Sequence, residues 1–143
     1  MARVYIPVAV ERAVRERARE QCEYCRAPED FNTDPFSIEH IQPLSRGGSN
    51  DEDNLALSCL GCNLAKGVRM DAPDPVTGQR IALFHPRRDR WSEHFQWSEN
   101  FLEVEARTAT GRVTILSLDL NRQKLQNLRR ALFSIEVHPP RDE

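Results

Sequence analysis

The sequence predicts an α+β chain, and three observations lead there. Val10, Val14 and Ala18 recur at helical spacing behind Pro7. An apolar run loosely alternating with polar residues covers Phe36 to Ile41. Two Cys-x-x-Cys pairs, Cys22/Cys25 and Cys59/Cys62, bracket that run. Side chains recur on one face every 3.6 residues in a helix and every second residue in a strand, so the two patterns call for different elements.

Composition narrows the class. At 143 residues the expectation is one domain, or a compact module with an appended segment. Hydrophobic residues make up 39% and there are nine prolines, which points to a modest core that benefits from non-covalent reinforcement. A net charge of -2 argues against bulk attraction to a polyanion, but the charges are unevenly placed. Segment 27–63 sets Arg46 against seven acids, segment 64–90 holds six basic residues against three acids, and segment 107–130 six against Asp119 alone. An acidic block is thus flanked by basic ones able to hold a polyanion beside it. No apolar run is long enough to span a membrane and no signal peptide is visible, so a cytoplasmic protein is expected. In a reducing compartment four cysteines indicate metal binding or catalysis rather than disulfides.

Taken in order, residues 4–6 read as a short strand or an extended lead-in. Pro7 suits the first turn of a helix running to about Gln21, with Glu11, Arg12, Arg15, Glu16, Arg19 and Glu20 as its solvated face. Cys22 to Cys25 is a tight turn and residues 27–35 a loop. Phe36 to Ile41 is a strand that Pro43 stops. Ser45 to Asp53, with Gly47-Gly48, is turn chemistry. Leu55-Ala56-Leu57 is a short strand or apolar turn, and Leu60 to Lys66 a helix closed by Gly67. The Pro- and Gly-rich stretch 71–80 reads as a linker between a module at 1–70 and a C-terminal extension at 81–143. Within the extension, a strand is expected at 81–84 and a hairpin of strands 101–106 and 112–118 around Thr110-Gly111. A helix capped by Asn121 then runs to about Phe133 with Leu125, Leu128 and Leu132 on one face. The tail from Pro139 onward, and His138 with it, reads as frayed.

The cysteine pairs are the strongest local signal. Each Cys-x-x-Cys presents two thiolates to one tetrahedral ion, and four sulfurs make a closed structural zinc site. Such a site clips the N-terminal helix to the module and makes zinc binding part of the folding free energy.

Between the pairs lie Glu39-His40, Asn54 and Asn63. Alone, His40 would read as a structural histidine and Glu39 as a surface acid. Their company changes that reading: Asn63 follows a metal-clamped cysteine at a helix start, and Asn54 stands where a carboxamide can fix a loop by bonding the backbone.

The block Glu39-His40, Pro43, Gly47-Gly48, Asn54, Cys59-x-x-Cys62-Asn63-x-x-Lys66 resembles the HNH endonucleases, and more narrowly their cysteine-bearing branch with a ββα-metal fold. The resemblance covers Cys22 to Gly67. It implies that Glu39 is a ligand of a catalytic divalent ion and His40 the general base. It further implies that Asn54 holds the loop and orients His40, and that Asn63 is the second metal ligand. Many members carry a histidine where this sequence has Asn63. A carboxamide oxygen is a harder donor than an imidazole nitrogen and favours Mg²⁺ or Mn²⁺. The His85-Pro86-Arg87, Trp91 and His94-Phe95 run, with the Thr108–Arg112 and Leu120–Arg122 stretches, is similar to the C-terminal extension of some bacterial HNH proteins.

The expected activity is therefore metal-dependent hydrolysis of DNA phosphodiesters, with RNA open as a substrate. Lys66, Arg69, Arg87, Arg88 and Arg90 are the candidates for the nucleic-acid backbone, Lys66 alternatively being a helix C-terminal residue. Trp91 and Trp97 read more readily as the core of the extension than as base-stacking residues. A homodimer or protein partner would supply part of the grip. One alternative is a zinc-stabilised nucleic-acid-binding module without cleavage activity; another is a zinc-clipped adaptor for a protein partner.

Overall fold

A computed structural model describes residues 5–141; the expected lead-in at Val4 and the last two residues of the expected frayed tail lie outside the described residues. Helix α1 (Val8–Arg17) starts behind Pro7 and buries Val14 completely. It stops a turn earlier than its apolar pattern suggests. Arg19 and Glu20 take left-handed backbone angles, and Gln21 bridges to Pro28, which swings Cys22 into a closed knuckle. That knuckle is tied by the Cys22 amide on Ala27 and the Arg26 amide on Cys22.

The central unit is strand, strand, helix. Strands β1 (Ser37–His40) and β2 (Leu55–Ser58) pair antiparallel with Glu39 opposite Ala56 and His40 opposite Leu55. All four residues of β2 are buried. Helix α2 (Leu60–Lys66) follows with the bounds the sequence indicates. Its N-cap is Cys59, whose Sγ accepts the Cys62 amide at 3.5 Å, and it ends at Gly67, whose φ of 56 few other residues tolerate.

Residues 71–80, expected to be a linker, instead form most of a hairpin. Strand β3 (Asp71–Pro73) pairs with β4 (Arg80–Ala82), and Asp74 in the turn is buried under Arg112. The extension differs from expectation in a second place. Residues 101–106 do not pair with 112–118. Strand β5 (Phe95–Trp97), behind the short helix α3 (Trp91–His94), pairs with β6 (Val104–Ala106), and Ala109–Leu118 is helix α4. Thr108 caps α4 by accepting the Gly111 amide, and Gly111, Thr114 and Leu118 share one buried stripe. A helix with β-branched residues and an apolar residue, Leu116, on its exposed side lacks the polar alternation that separates helix from strand, so Val113 to Leu118 misleads a period count.

Helix α5 (Gln123–Ser134) buries Leu125 and Leu132, as its pattern indicates, but its N-cap is Arg122. Asn121 instead brackets β6, accepting the Val104 amide and donating to the Val104 carbonyl. His138, expected in a loose tail, is buried against Trp97 and donates Nε2–H to the Phe101 carbonyl at 2.8 Å.

One buried cluster runs from Val14 through Leu55 and Leu57 to Phe84, Trp91, Phe95, Val113 and Leu125. The Trp91 indole N–H donates to the Tyr24 carbonyl inside the cysteine knuckle, so the extension is bonded directly to the module. Among the described residues no helix is long and apolar enough to cross a membrane.

Candidate metal centre and catalytic groove

Four buried cysteines converge where α1's knuckle meets the start of α2. The Sγ atoms of Cys22, Cys25, Cys59 and Cys62 all lie within 4.8 Å of one another, with Cys25 and Cys59 separated by 3.8 Å. Ligands about 2.3 Å from a tetrahedral zinc stand about 3.8 Å apart, so the set fits that ion. None of the four is in a disulfide. Among the described residues this is the one group of three or more His, Cys, Asp or Glu side chains placed to share an ion.

The extension supplies the cage with a cation that sequence reasoning missed. Arg122 directs Nη1 and Nη2 at the sulfurs, 3.5 Å from Cys59 and 3.7 Å from Cys62. Gly61 makes room for it: a Cβ there would press on the Arg122 guanidinium. Half-buried, Arg122 is held above the ordinary arginine range because thiolates face it, outweighing the burial that acts the other way. The only sequence signal was the Leu120-Asn121-Arg122 run itself, whose role no spacing rule discloses.

At the other end of α2, alternation along β1 sends Glu39 inward and leaves His40 half-exposed. Glu39 has both carboxylate oxygens engaged. Oε1 accepts the Tyr24 hydroxyl and Oε2 faces Lys66 Nζ at 3.4 Å, with the two side chains only 4% and 2% exposed. Burial pushes the Glu39 carboxyl up from its usual range, while Lys66 and the Tyr24 hydroxyl oppose that shift. Lys66 also donates to the Ile41 carbonyl at 2.9 Å. A lysine expected at a phosphate backbone is therefore an internal tie between α2 and β1.

His40 Nε2–H donates to Asn50 Oδ1 at 2.7 Å, which leaves Nδ1 as the basic nitrogen. Asn54 is a three-way clamp: its Oδ1 accepts the Gln42 amide, and its Nδ2 donates to the carbonyls of Gln42 and Ser49. Gly48 runs so close beneath that a Cβ would collide with the Gln42 carbonyl, which is the physical need for glycine there. Asn63 sits half-exposed on α2, its carboxamide without a hydrogen-bond partner among the described residues.

The expected basic grip divides. Arg87 turns inward and pairs with Glu23, whose other oxygen accepts the Leu57 amide; burial pushes Arg87 down to about 10. Arg69 and Arg88 are exposed and line a cavity of about 440 Å³ with Asn54, Lys66 and His85. Arg90 lies on a different cavity. His85 and His94, without evident partners in sequence, have them in the fold: His85 Nδ1 accepts the Arg87 amide, and His94 Nδ1 is hydrogen-bonded to Thr108.

Residues 22–69 match the family model described as HNH endonuclease. They are an HNH endonuclease family domain. The HNH domain takes in both cysteine pairs, Glu39-His40, Asn54, Asn63 and Lys66, and its buried four-cysteine cluster is consistent with the zinc-binding branch of the family. The hairpin and α2 form its centre, while α1 and residues 70–141 lie outside the match. No curated protein and no solved structure gives a significant match.

The HNH family's use of a divalent ion gives the oxygen donors a test. Carboxylate and carboxamide suit Mg²⁺ or Mn²⁺ in chemistry. As arranged, however, Glu39 faces Tyr24 and Lys66 and is not open, so the residues do not present a ready-made second cation site.

Proposed function

We propose that this chain is a metal-dependent endonuclease hydrolysing DNA phosphodiesters, with His40 as general base. The observation that carries the reading is His40 inside an HNH domain with Nε2 anchored on Asn50 and, among the described residues, no hydrogen-bond partner on Nδ1. Asn54 fixes the loop from which Asn50 reaches the ring. In that arrangement Nδ1 takes a proton from water, the water oxygen attacks phosphorus, and the P–O3′ bond breaks as the departing oxygen takes a proton from solvent, to which His40 later returns its own. A positioned base contributes about 10²–10⁴-fold to such a reaction.

Glu39 and Asn63 are the proposed ligands of a Mg²⁺ or Mn²⁺ ion, which when bound supplies neutralisation of charge at the scissile phosphate. Glu39 can serve only by relaxing its bond to Lys66 or Tyr24, so no step is assigned through it. Arg69 and Arg88 are proposed to hold the backbone, since they share the cavity that Asn54 lines. A second copy or a protein partner adding to the grip is consistent with the acidity of segment 27–63.

The test is nicking of supercoiled plasmid with added Mg²⁺ or Mn²⁺. Wild type should nick, and His40→Ala should lose about 10²–10⁴-fold while keeping its zinc and its melting temperature. Equal background in the two proteins on supercoiled, linear and branched DNA rejects catalysis.

The enclosed Glu39 favours one rival, a zinc-stabilised module that binds nucleic acid without cutting it. That reading requires salt-dependent retardation of DNA in a gel with no metal-dependent nicking.

A further inference from the structure

Among the described residues, Glu39 and Lys66 form the most enclosed ion pair, their side chains 4% and 2% exposed. A buried ion pair adds little net stability over apolar residues of the same volume, so packing alone gives no reason to keep both charges here. The surroundings of the ammonium are more telling. Lys66 Nζ lies 3.4 Å from Glu39 Oε2 and donates to the Ile41 carbonyl at 2.9 Å. A carboxylate oxygen and a backbone carbonyl oxygen are the donors that a hard divalent cation takes. Lys66 therefore stands, as a monovalent charge, in oxygen surroundings that suit Mg²⁺ or Mn²⁺.

The position can be reached from solvent. Ile41 and Lys66 both line the cavity of about 440 Å³ beside Asn54, and Asp51, Asp53 and Asp89 line it with them. The far side of the carboxylate is closed, because the hydroxyl of the fully buried Tyr24 donates to Glu39 Oε1. An ion coming from the cavity thus meets Lys66 before it meets Glu39.

We propose that Lys66 is the resident cation of the Glu39 carboxylate, and that a divalent ion reaches Glu39 only by displacing the ammonium. Ion and lysine are then competitors, and Lys66 sets the ion concentration at which Glu39 is engaged. The choice of a divalent ion rests on the nuclease reading; the oxygen set around Nζ does not include His40. A pair kept for structure alone would cost stability when Lys66 is removed and would gain nothing from a divalent ion. Competition predicts that the same removal leaves a buried charge for which the ion is the remedy.

Mn²⁺ is titrated into the zinc-loaded full chain while the free-ion signal is followed by electron paramagnetic resonance, and melting is recorded with and without Mn²⁺. Lys66→Met should bind Mn²⁺ at least about fivefold more tightly than wild type, the lower end of ordinary coupling between two sites. Mn²⁺ should also raise the melting temperature of Lys66→Met more than that of wild type, since an ion that binds the folded state stabilises it. Lys66→Met/Glu39→Gln, which has neither charge, should bind Mn²⁺ no more tightly than wild type.

If Lys66→Met does not fold, judged by zinc content and circular dichroism, Lys66→Gln is read in its place, since a carboxamide still donates to a carbonyl without carrying charge. The proposal is overturned by equal Mn²⁺ affinity in wild type and the lysine variant, or by a gain in affinity that survives Glu39→Gln. Nicking by wild type with equal Mn²⁺ affinities rejects the competition and leaves the nuclease reading; tightened Mn²⁺ binding without nicking does the reverse.

Discussion

Two clusters of ligand-type side chains hang on the two ends of α2, about two turns apart. At its start, Cys59 and Cys62 join Cys22 and Cys25, and the four sulfurs all lie within 4.8 Å of one another. At its end, Lys66 holds Glu39, and Tyr24 holds the other carboxylate oxygen. Both clusters are buried, yet their logic is opposite. Four thiolates crowded together repel one another, so the cage needs a cation at its centre and gains from Arg122 outside it. A carboxylate already facing an ammonium is neutralised from within and has no comparable need. The lesson is that burial of ligand chemistry marks an ion site only where the charge is left unbalanced.

The strongest way to break that contrast is to remove the metal. Structural zinc in small domains is worth about 10–16 kcal/mol of apparent binding free energy. Chelation, or Cys59→Ser, should therefore abolish the cooperative thermal transition, and added zinc should restore it in the chelated wild type. A chelated protein that melts as before would show that the cage stands on packing alone.

Lys66→Met attacks the other end of α2. It leaves the Glu39 carboxylate buried without its cation, a loss of about 3–5 kcal/mol in denaturant titration, and combining it with Glu39→Gln should return part of that. A loss under about 1 kcal/mol, the range of exposed pairs, would mean that the pair is open to water.

Arg122→Gln sharpens the comparison, since it removes the outer charge without touching a sulfur. Loss of a group that supports metal ligands costs about 10–100-fold in affinity, so zinc should pass to a colorimetric chelator at correspondingly lower concentration. Unchanged transfer would confine Arg122 to packing.

The smallest effect is expected at Asp74, where Arg112 holds a buried carboxyl below the usual carboxylate range. A carboxyl whose folded value is depressed adds stability above the unfolded value, about 3.9, and loses it as the pH falls through the folded one. Asp74→Asn should thus melt below wild type at neutral pH, and the gap should close under acid below about pH 4. A gap independent of pH would assign Asp74 a purely steric role.

Legibility in the sequence followed how local each constraint is. α2 could be bounded to the residue because Cys59, which caps it, and Gly67, which ends it, act on the backbone beside them. β1 was readable because Phe36, Ile38 and Ile41 alternate loosely with Ser37 and Glu39, but that alternation did not disclose that Glu39 itself is buried. α4 was not, because nothing about Val113 to Leu118 distinguishes a helix buried among β3, β4 and β6 from a buried strand. Of the proposed catalytic set, the residue types were readable but their orientations were not. Asn54 was legible as a loop clamp; Asn50 as the anchor of His40 had no signal at all.

By itself the sequence determined the chemistry on offer: two pairs of thiols at metal-binding spacing, an acid beside a histidine, and carboxamides at a helix start and in a loop. Those follow from residue identity and short spacings, which the chain carries wherever it folds. Only the tertiary structure decided what each group faces. It turned Lys66 onto Glu39, Arg122 onto the sulfurs and Arg87 onto Glu23. Those partners lie 27, 60 and 64 positions apart along the chain, and pairing at such range is set by how whole elements pack, which no local pattern encodes.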